Sequence, residues 1–297
     1  MFWQSSVGQV VLGVLVNLAT VIFFALLALL MTARWWRRSR RGFFGIAARE
    51  APDIRIHISN LWINHGGTTA NVLITKGFQG SAISEGEFRS GLWLSRMLSA
   101  RTVARLVGAV GAQLGADNVM NPVAASVAAC PPPGGRAEAI EMLELPGCTV
   151  LIGGPMYNSM VHALMDRAGI KGSQVWMGRG ITPGTTGNFG FYAPSLISGT
   201  SEIEVFSPGE RHVGSSITYD TYYLLEKITG FGPNNSTIFV CAGTCNASTA
   251  AAVEELGKWR HFRSEFGDGP FALVCKMVTD SPDRYDARGR IAREWQS

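Results

Sequence analysis

The longest uninterrupted pattern in the chain is apolar: Val10 to Met31, "VVLGVLVNLATVIFFALLALLM", runs 22 residues without a charge, broken only by Asn17 and Thr20. A helix needs about 20 such residues to cross the hydrocarbon core, so the run predicts one transmembrane helix. It exceeds the ~7–15 residues of a signal-peptide core, and no Lys or Arg precedes it. A different periodicity follows. In "DIRIHISNLWI", Ile54, Ile56 and Ile58 alternate with Arg55, His57 and Ser59, the period of a half-buried strand. "NHGGTT" predicts a turn and "NVLITKG" a second strand, which together make an antiparallel pair.

From Ser84 the spacing becomes helical. Ser84 and Glu87 have capping-box spacing, and Phe88, Leu92, Leu94, Met97, Leu98, Val103, Leu106, Val107 and Val110 continue one long helix or two consecutive ones. Residues 117 to 135 end in "PPPGG" and break regular structure; "RAEAIEMLEL" is a short helix. "CTVLIGG" and "TIFVCAG" are continuous apolar runs, expected as fully buried strands, and an alanine-rich helix follows the second. Residues 167 to 220, rich in Gly, Ser and Thr, are expected as a β-rich excursion whose "TTGNFGFY" tract forms a flap. "PFALVCKMV" supplies a last strand.

The predicted fold class is therefore α/β: a Rossmann-like, largely parallel sheet with flanking helices and a β-rich excursion, preceded by one N-terminal transmembrane helix. The expected organisation is an anchor over residues 1–42, a linker over 43–53, the α/β domain over 54–280 with its excursion at 167–220, and a surface tail over 281–297.

Charge refines the anchor more than the body. Arg34, Arg37, Arg38, Arg40 and Arg41 follow the apolar run, which predicts an outside N-terminus, a cytoplasmic body and a single pass through the cell membrane. Trp35 and Trp36 fit the membrane interface, and the arginines suit anionic lipid headgroups. Removing these five charges from the formal net charge of +4 leaves −1 for the rest. So neutral a body argues against nucleic-acid binding, which needs a basic surface. The five cysteines include no CxxC pair and no zinc-module spacing, so no metal site is expected.

Chemistry concentrates at two strand–turn–helix junctions. In one, Val150–Leu151–Ile152 enters Gly153–Gly154–Pro155; in the other, Phe239–Val240–Cys241 enters Ala242–Gly243–Thr244. A helix N-terminus presents unpaired N–H groups and partial positive charge, and glycine lets a ligand approach the backbone. The candidate ligand-binding residues are Gly153, Gly154, Pro155, Tyr157, Asn158, Ser159, Gly243, Thr244, Asn246 and Thr249. The competing expectation is that these turns only serve tight packing, with Pro155 at the first helical position. Neither GxGxxG nor GxxxxGK[ST] is present.

"VLIGGPMYN" and "TIFVCAGTCNASTAAAVEEL" resemble a group of bacterial proteins carrying a Gly-Gly-Pro-x-x-Asn segment and a later strand, Ala-Gly turn and Ala-rich helix. More distantly, they are similar to SLOG-type Rossmannoid nucleotide-sensing domains, which occur fused to membrane helices in bacterial conflict and nucleotide-signalling systems. Gly153, Gly154, Pro155 and Asn158 match the first segment, and Ala242 and Gly243 the second. Asn246–Ala247–Ser248–Thr249 stands in place of the second segment's Gly-Thr pair. The resemblance implies a nucleotide ligand.

No ordered catalytic set is apparent, and no catalytic residue is assigned. His65, beside Gly66–Gly67, and Glu87 are the titrating side chains most suited to lie near the turns. Glu254 and Glu255 fall two to three helical turns, ~15 Å, beyond theirs. The expected function is a membrane-anchored sensor or effector that binds a small nucleotide-type ligand and signals through homo-oligomerisation, with Asn17 able to hydrogen-bond between copies. A membrane-tethered nucleotide-processing hydrolase or transferase, and a structural or scaffolding membrane protein, are the alternatives. No cofactor beyond the nucleotide ligand is expected.

Overall fold

A computed structural model describes residues 6–46, 53–63, 80–82, 84–98, 124–132, 135–165, 173–179, 189–195, 203–284 and 289–297. The chain divides into two compact units, residues 1–42 and 43–297. The described part of the first is helix α1 (Ser6–Phe43) up to Gly42, whose Gln9–Ala28 stretch has a mean hydropathy of 2.7 and the length needed to cross a membrane. Its one hydroxyl in that stretch is satisfied internally, because Thr20 Oγ1 donates to the Val16 carbonyl at 2.8 Å.

The second unit is α/β. Its elements begin with β1 (Asp53–Ile58), β2 (Leu61–Ile63), β3 (Gly80–Ala82), α2 (Glu85–Leu98), β4 (Ala124–Ala129) and α3 (Arg136–Glu144). They continue with β5 (Cys148–Ile152), α4 (Ser159–Met165), β6 (Trp176–Arg179), β7 (Phe189–Pro194), β8 (Ile203–Phe206), β9 (Gly209–Val213) and β10 (Ser216–Phe231). The last are β11 (Ser236–Gly243), α5 (Asn246–Gly257), α6 (Trp259–Phe266), β12 (Phe271–Thr279) and β13 (Arg290–Gln296).

An eight-stranded sheet runs β13-β12-β10-β11-β5-β1-β4, with β9 paired to β10. Four of its strands, β4, β1, β5 and β11, are mutually parallel. Parallel strands need covered faces, which explains the unbroken apolar runs of β5 and β11, whose residues are all buried. Counted in chain order, the four lie as 2-1-3-4, so the direction of winding reverses between β1 and β5. The β10, β12 and β13 side is antiparallel. Within the expected excursion, β6-β7-β8 form a separate three-stranded sheet, whereas β9 and the start of β10 belong to the main sheet.

Side-chain alternation divides the core. Leu151, Ile238, Val240, Leu224, Ala272 and Val274 pack with α3, α4 and the small sheet in one cluster. On the other face α2 lies so close that a Cβ on Gly91 would touch Val127 and Ile58 at 3.2 and 3.3 Å. There Phe43, fully buried, sits 5.4 Å from Phe239 and 5.9 Å from Trp259 by ring centroids. Successive residues of β10 bury charge on the two faces. The carboxyl of Glu226 accepts from Gln174 N–H at 2.7 Å and from Ser173 Oγ, and burial pushes it up to about 7. Lys227 Nζ donates to the Asp268 carbonyl at 2.6 Å and lies 4.6 Å from the Phe43 ring; burial lowers it to about 8.

Several expectations change. β2 pairs with β3, while "NVLITKG" and the second half of the expected long helix lie outside the described residues. "AASVAA", within the stretch expected to break regular structure, is the parallel edge strand β4, its alanines small enough to lie between β1 and solvent. The C-terminal stretch expected as a tail forms β13, and Trp295 is buried with Nε1 donating to the Pro194 carbonyl at 3.0 Å. Phe43, Phe44 and Ile46, expected in a linker, are buried. Phe43→Ala should therefore cost about 3–5 kcal/mol in urea unfolding of the full chain, as a large core truncation does. A loss under about 1 kcal/mol would show that this ring is not part of the core.

Candidate functional site

The two glycine junctions end neighbouring parallel strands. β5 and β11 run in register with Ile152 opposite Cys241, and Gly153 N–H donates to the Cys241 carbonyl at 3.0 Å. Both turns therefore stand at the C-terminal edge of the sheet, where open parallel sheets place ligands, and the β1/β5 reversal lies immediately beside the first.

Gly153 is required twice over. Its φ is +105°, and a Cβ there would stand 2.1 Å from Ser59 Oγ and 2.6 Å from Glu87 Oε1. Ser59 directly follows β1, while Glu87 lies in the first turn of α2. Ser59 N–H donates to Glu87 Oε2 at 2.9 Å, and Ser59 Oγ lies 3.5 Å from the Ile152 carbonyl. Glu87 is only 8% exposed, and burial pushes its carboxyl up to about 6 from an ordinary 4.5, against the opposing pull of both Ser59 bonds. Capping-box spacing does not anticipate this contact across 28 residues.

Asn158 organises the first turn. Its Oδ1 accepts from Met160 and Val161 N–H at 3.1 and 3.2 Å, which starts α4. Its Nδ2 donates to the Ile152 carbonyl at 3.0 Å and the His57 carbonyl at 3.4 Å, tying the ends of β5 and β1. The amide's two donors and two lone pairs are thus used within the protein. Helix α4 begins at Ser159, so Pro155 lies in the preceding turn rather than at the first helical position. Ser159 Oγ donates to the Pro131 carbonyl at 2.7 Å. Gly154 lies close against Met177, whose flexible side chain would have its sulfur 3.3 Å from an added Cβ, and Tyr157 is 47% exposed.

The second turn is closed on itself. Gly243 serves close helix packing, since a Cβ would meet Thr249 N at 2.3 Å. Thr244 Oγ1 accepts Tyr222 N–H at 3.0 Å, Thr249 Oγ1 donates to the Cys245 carbonyl at 3.0 Å, and Asn246 Nδ2 donates to the Asp283 carbonyl at 3.1 Å. The cap of α5 is Cys245, whose Sγ accepts Ser248 N–H.

On the β4 side of β1, Asn60 is also buried. Its N–H donates to the Tyr157 carbonyl at 2.9 Å and its Nδ2 to the Cys130 carbonyl at 3.1 Å, while Oδ1 meets no donor among the described residues. Neither Ser59 nor Asn60 is among the ligand residues that the sequence marks; their sequence signal is that polar residues directly follow the alternating Ile54, Ile56 and Ile58. Histidine 57, on β1, is buried, which lowers its pKa and favours the neutral ring. His65 lies outside the described residues, as do the side chains of Arg34, Trp35, Trp36 and Arg37; Arg38, Arg40 and Arg41 are on α1. Among the described residues, no group of three or more His, Cys, Asp or Glu side chains is placed to hold a metal.

No protein-family model, curated protein or solved structure matches the chain.

Two outcomes follow from this geometry. Gly153→Ala should destabilise the fold by at least about 2 kcal/mol in urea, through left-handed strain and collision with Ser59 and Glu87. The folded Glu87 carboxyl holds its proton more tightly than the unfolded one, so its contribution to stability is present below pH 4.5 and is lost as pH rises through about 6. Glu87→Gln should therefore raise stability by about 1–2 kcal/mol at pH 8 and change it little at pH 4. Equal effects at both pH values would show that Glu87 does not carry this proton.

Proposed function

We propose that this is a membrane-anchored protein whose Rossmann-like body binds a small nucleotide-type ligand at the C-terminal edge of the parallel strands and couples occupancy to self-association. The single observation that carries the reading is the meeting of both glycine turns on adjacent strands, joined through Gly153 N–H and the Cys241 carbonyl, with the buried Glu87 carboxyl beside them. The resemblance to SLOG-type domains belongs to the same reading. Helix α1 is the anchor, with the arginine cluster at anionic headgroups and the body on the cytoplasmic side. Asn17 lies near the centre of the apolar stretch, where an amide gains from a partner on a second copy.

Glu87 also favours the second reading, a membrane-tethered hydrolase or transferase for nucleotide-type substrates. A carboxyl raised to about 6 is suited to proton transfer near neutral pH. That reading predicts turnover lost in Glu87→Gln, whereas the sensor predicts binding without product.

Thermal unfolding of the full chain in detergent, scanned with a panel of nucleotides, tests the proposal. A bound nucleotide at 100 times its Kd should stabilise the chain by about 2.7 kcal/mol. Gly154→Val, which crowds Met177 and the turn, should abolish that gain while leaving the unliganded transition in place. No stabilisation by any nucleotide, together with unchanged behaviour of the variant, would overturn the proposal.

A further inference from the structure

We infer that the junction formed by Ser59, Asn60, Glu87 and Gly153 recognises its ligand through the ligand's own hydrogen-bond donors, the hydroxyl and amine groups of a nucleoside moiety, and not through a phosphate. The inference rests on the proposed nucleotide-type ligand and specifies which part of it the protein reads.

Anion sites at strand–turn–helix junctions depend on N–H groups left without protein partners. Here most of those at the two turns are already engaged. At the first, Gly153 N–H is taken by the Cys241 carbonyl, Asn158 N–H by the Gly154 carbonyl at 3.0 Å, and the Met160 and Val161 N–H groups by Asn158 Oδ1. At the second, the Ala247 N–H donates to the Pro282 carbonyl at 3.0 Å, Thr249 N–H to the Cys245 carbonyl at 3.0 Å, and Ser248 N–H to Cys245 Sγ. A phosphate arriving at either turn meets protein acceptors already holding these donors.

What the junction offers instead are acceptors. Asn60 is 4% exposed, and its Oδ1 has no donor among the described residues. The Nδ2 bond to the Cys130 carbonyl and the backbone bond to Tyr157 fix the amide, so Oδ1 faces away from the Cys130 carbonyl. A buried acceptor left unmatched is costly, and a ligand O–H or N–H removes that deficit. The turn lying against Asn60 is the one bearing the exposed Met156 and Tyr157. Glu87 supplies the second acceptor, 8% exposed on the β5 side of the same strand end. Its carboxylate attracts donors and repels a phosphate, which carries its own sign of charge.

Isothermal titration of the full chain in detergent at pH 7.5, with the four ribonucleosides, their 5′-monophosphates and inorganic phosphate, tests the inference. At least one nucleoside should bind within about threefold of its monophosphate, and inorganic phosphate should not compete. Glu87→Gln should weaken that nucleoside by about tenfold or more, and Asn60→Ser should do the same independently, each checked for an intact urea transition. Monophosphate binding about tenfold tighter than the nucleoside, or competition by inorganic phosphate, overturns the inference while leaving the nucleotide-type reading intact. Nucleoside affinity unchanged in both folded variants also overturns it. Silence from every nucleoside and nucleotide overturns the underlying reading as well.

Discussion

Space at Gly153 is the constraint on which the sheet edge depends. The end of β1, the start of α2 and the end of β5 converge there so closely that Ser59 Oγ and Glu87 Oε1 occupy the volume of a Cβ. No L side chain fits, and the positive φ excludes one on separate grounds. Closing this gap brings a carboxyl out of water beside the point where the winding of the parallel strands reverses. Its cost is partly offset by the Ser59 N–H bond, and the rest appears as the raised Glu87 pKa.

Neighbouring pieces then fall into place around that contact. Asn158 spans the ends of β1 and β5 and begins α4 with the same amide, so one side chain sets both strand ends and the helix direction. Gly153 N–H binds β5 to β11, which aligns the second turn with the first. The result differs from a phosphate cradle. Its glycines permit close packing of protein on protein, the Met160, Val161, Ala247, Ser248 and Thr249 amides are engaged, and among the described residues the buried Asn60 Oδ1 is an acceptor without a donor.

Much of this architecture is legible in the chain. The apolar runs at Cys148–Ile152 and Ser236–Gly243 mark buried parallel strands because both faces of such strands are covered. The charge-free run in α1 is equally plain. Strand β4 is hidden by its composition, since "AASVAA" has no large apolar side chains to alternate. Strand β13 is hidden because its exposed face is charged and its partners, β12 along its length and Pro194 at Trp295, are distant or not marked by local pattern. At the site, the glycines are visible as local punctuation. Their partners are not, because Ser59, Glu87 and Gly153 are separated by tens of residues and meet only through the order of the strands. The Ser84–Glu87 spacing points to a local cap, whereas tertiary packing gives the carboxylate a remote donor, the Ser59 N–H.

A carbon-detected NMR titration of the Glu87 carboxyl, in the full chain with and without a nucleoside, addresses the central claim most directly. The account predicts a midpoint near pH 6 in the free protein and a clear displacement when the nucleoside binds. A midpoint at the ordinary 4.5 that does not respond to the nucleoside would contradict it.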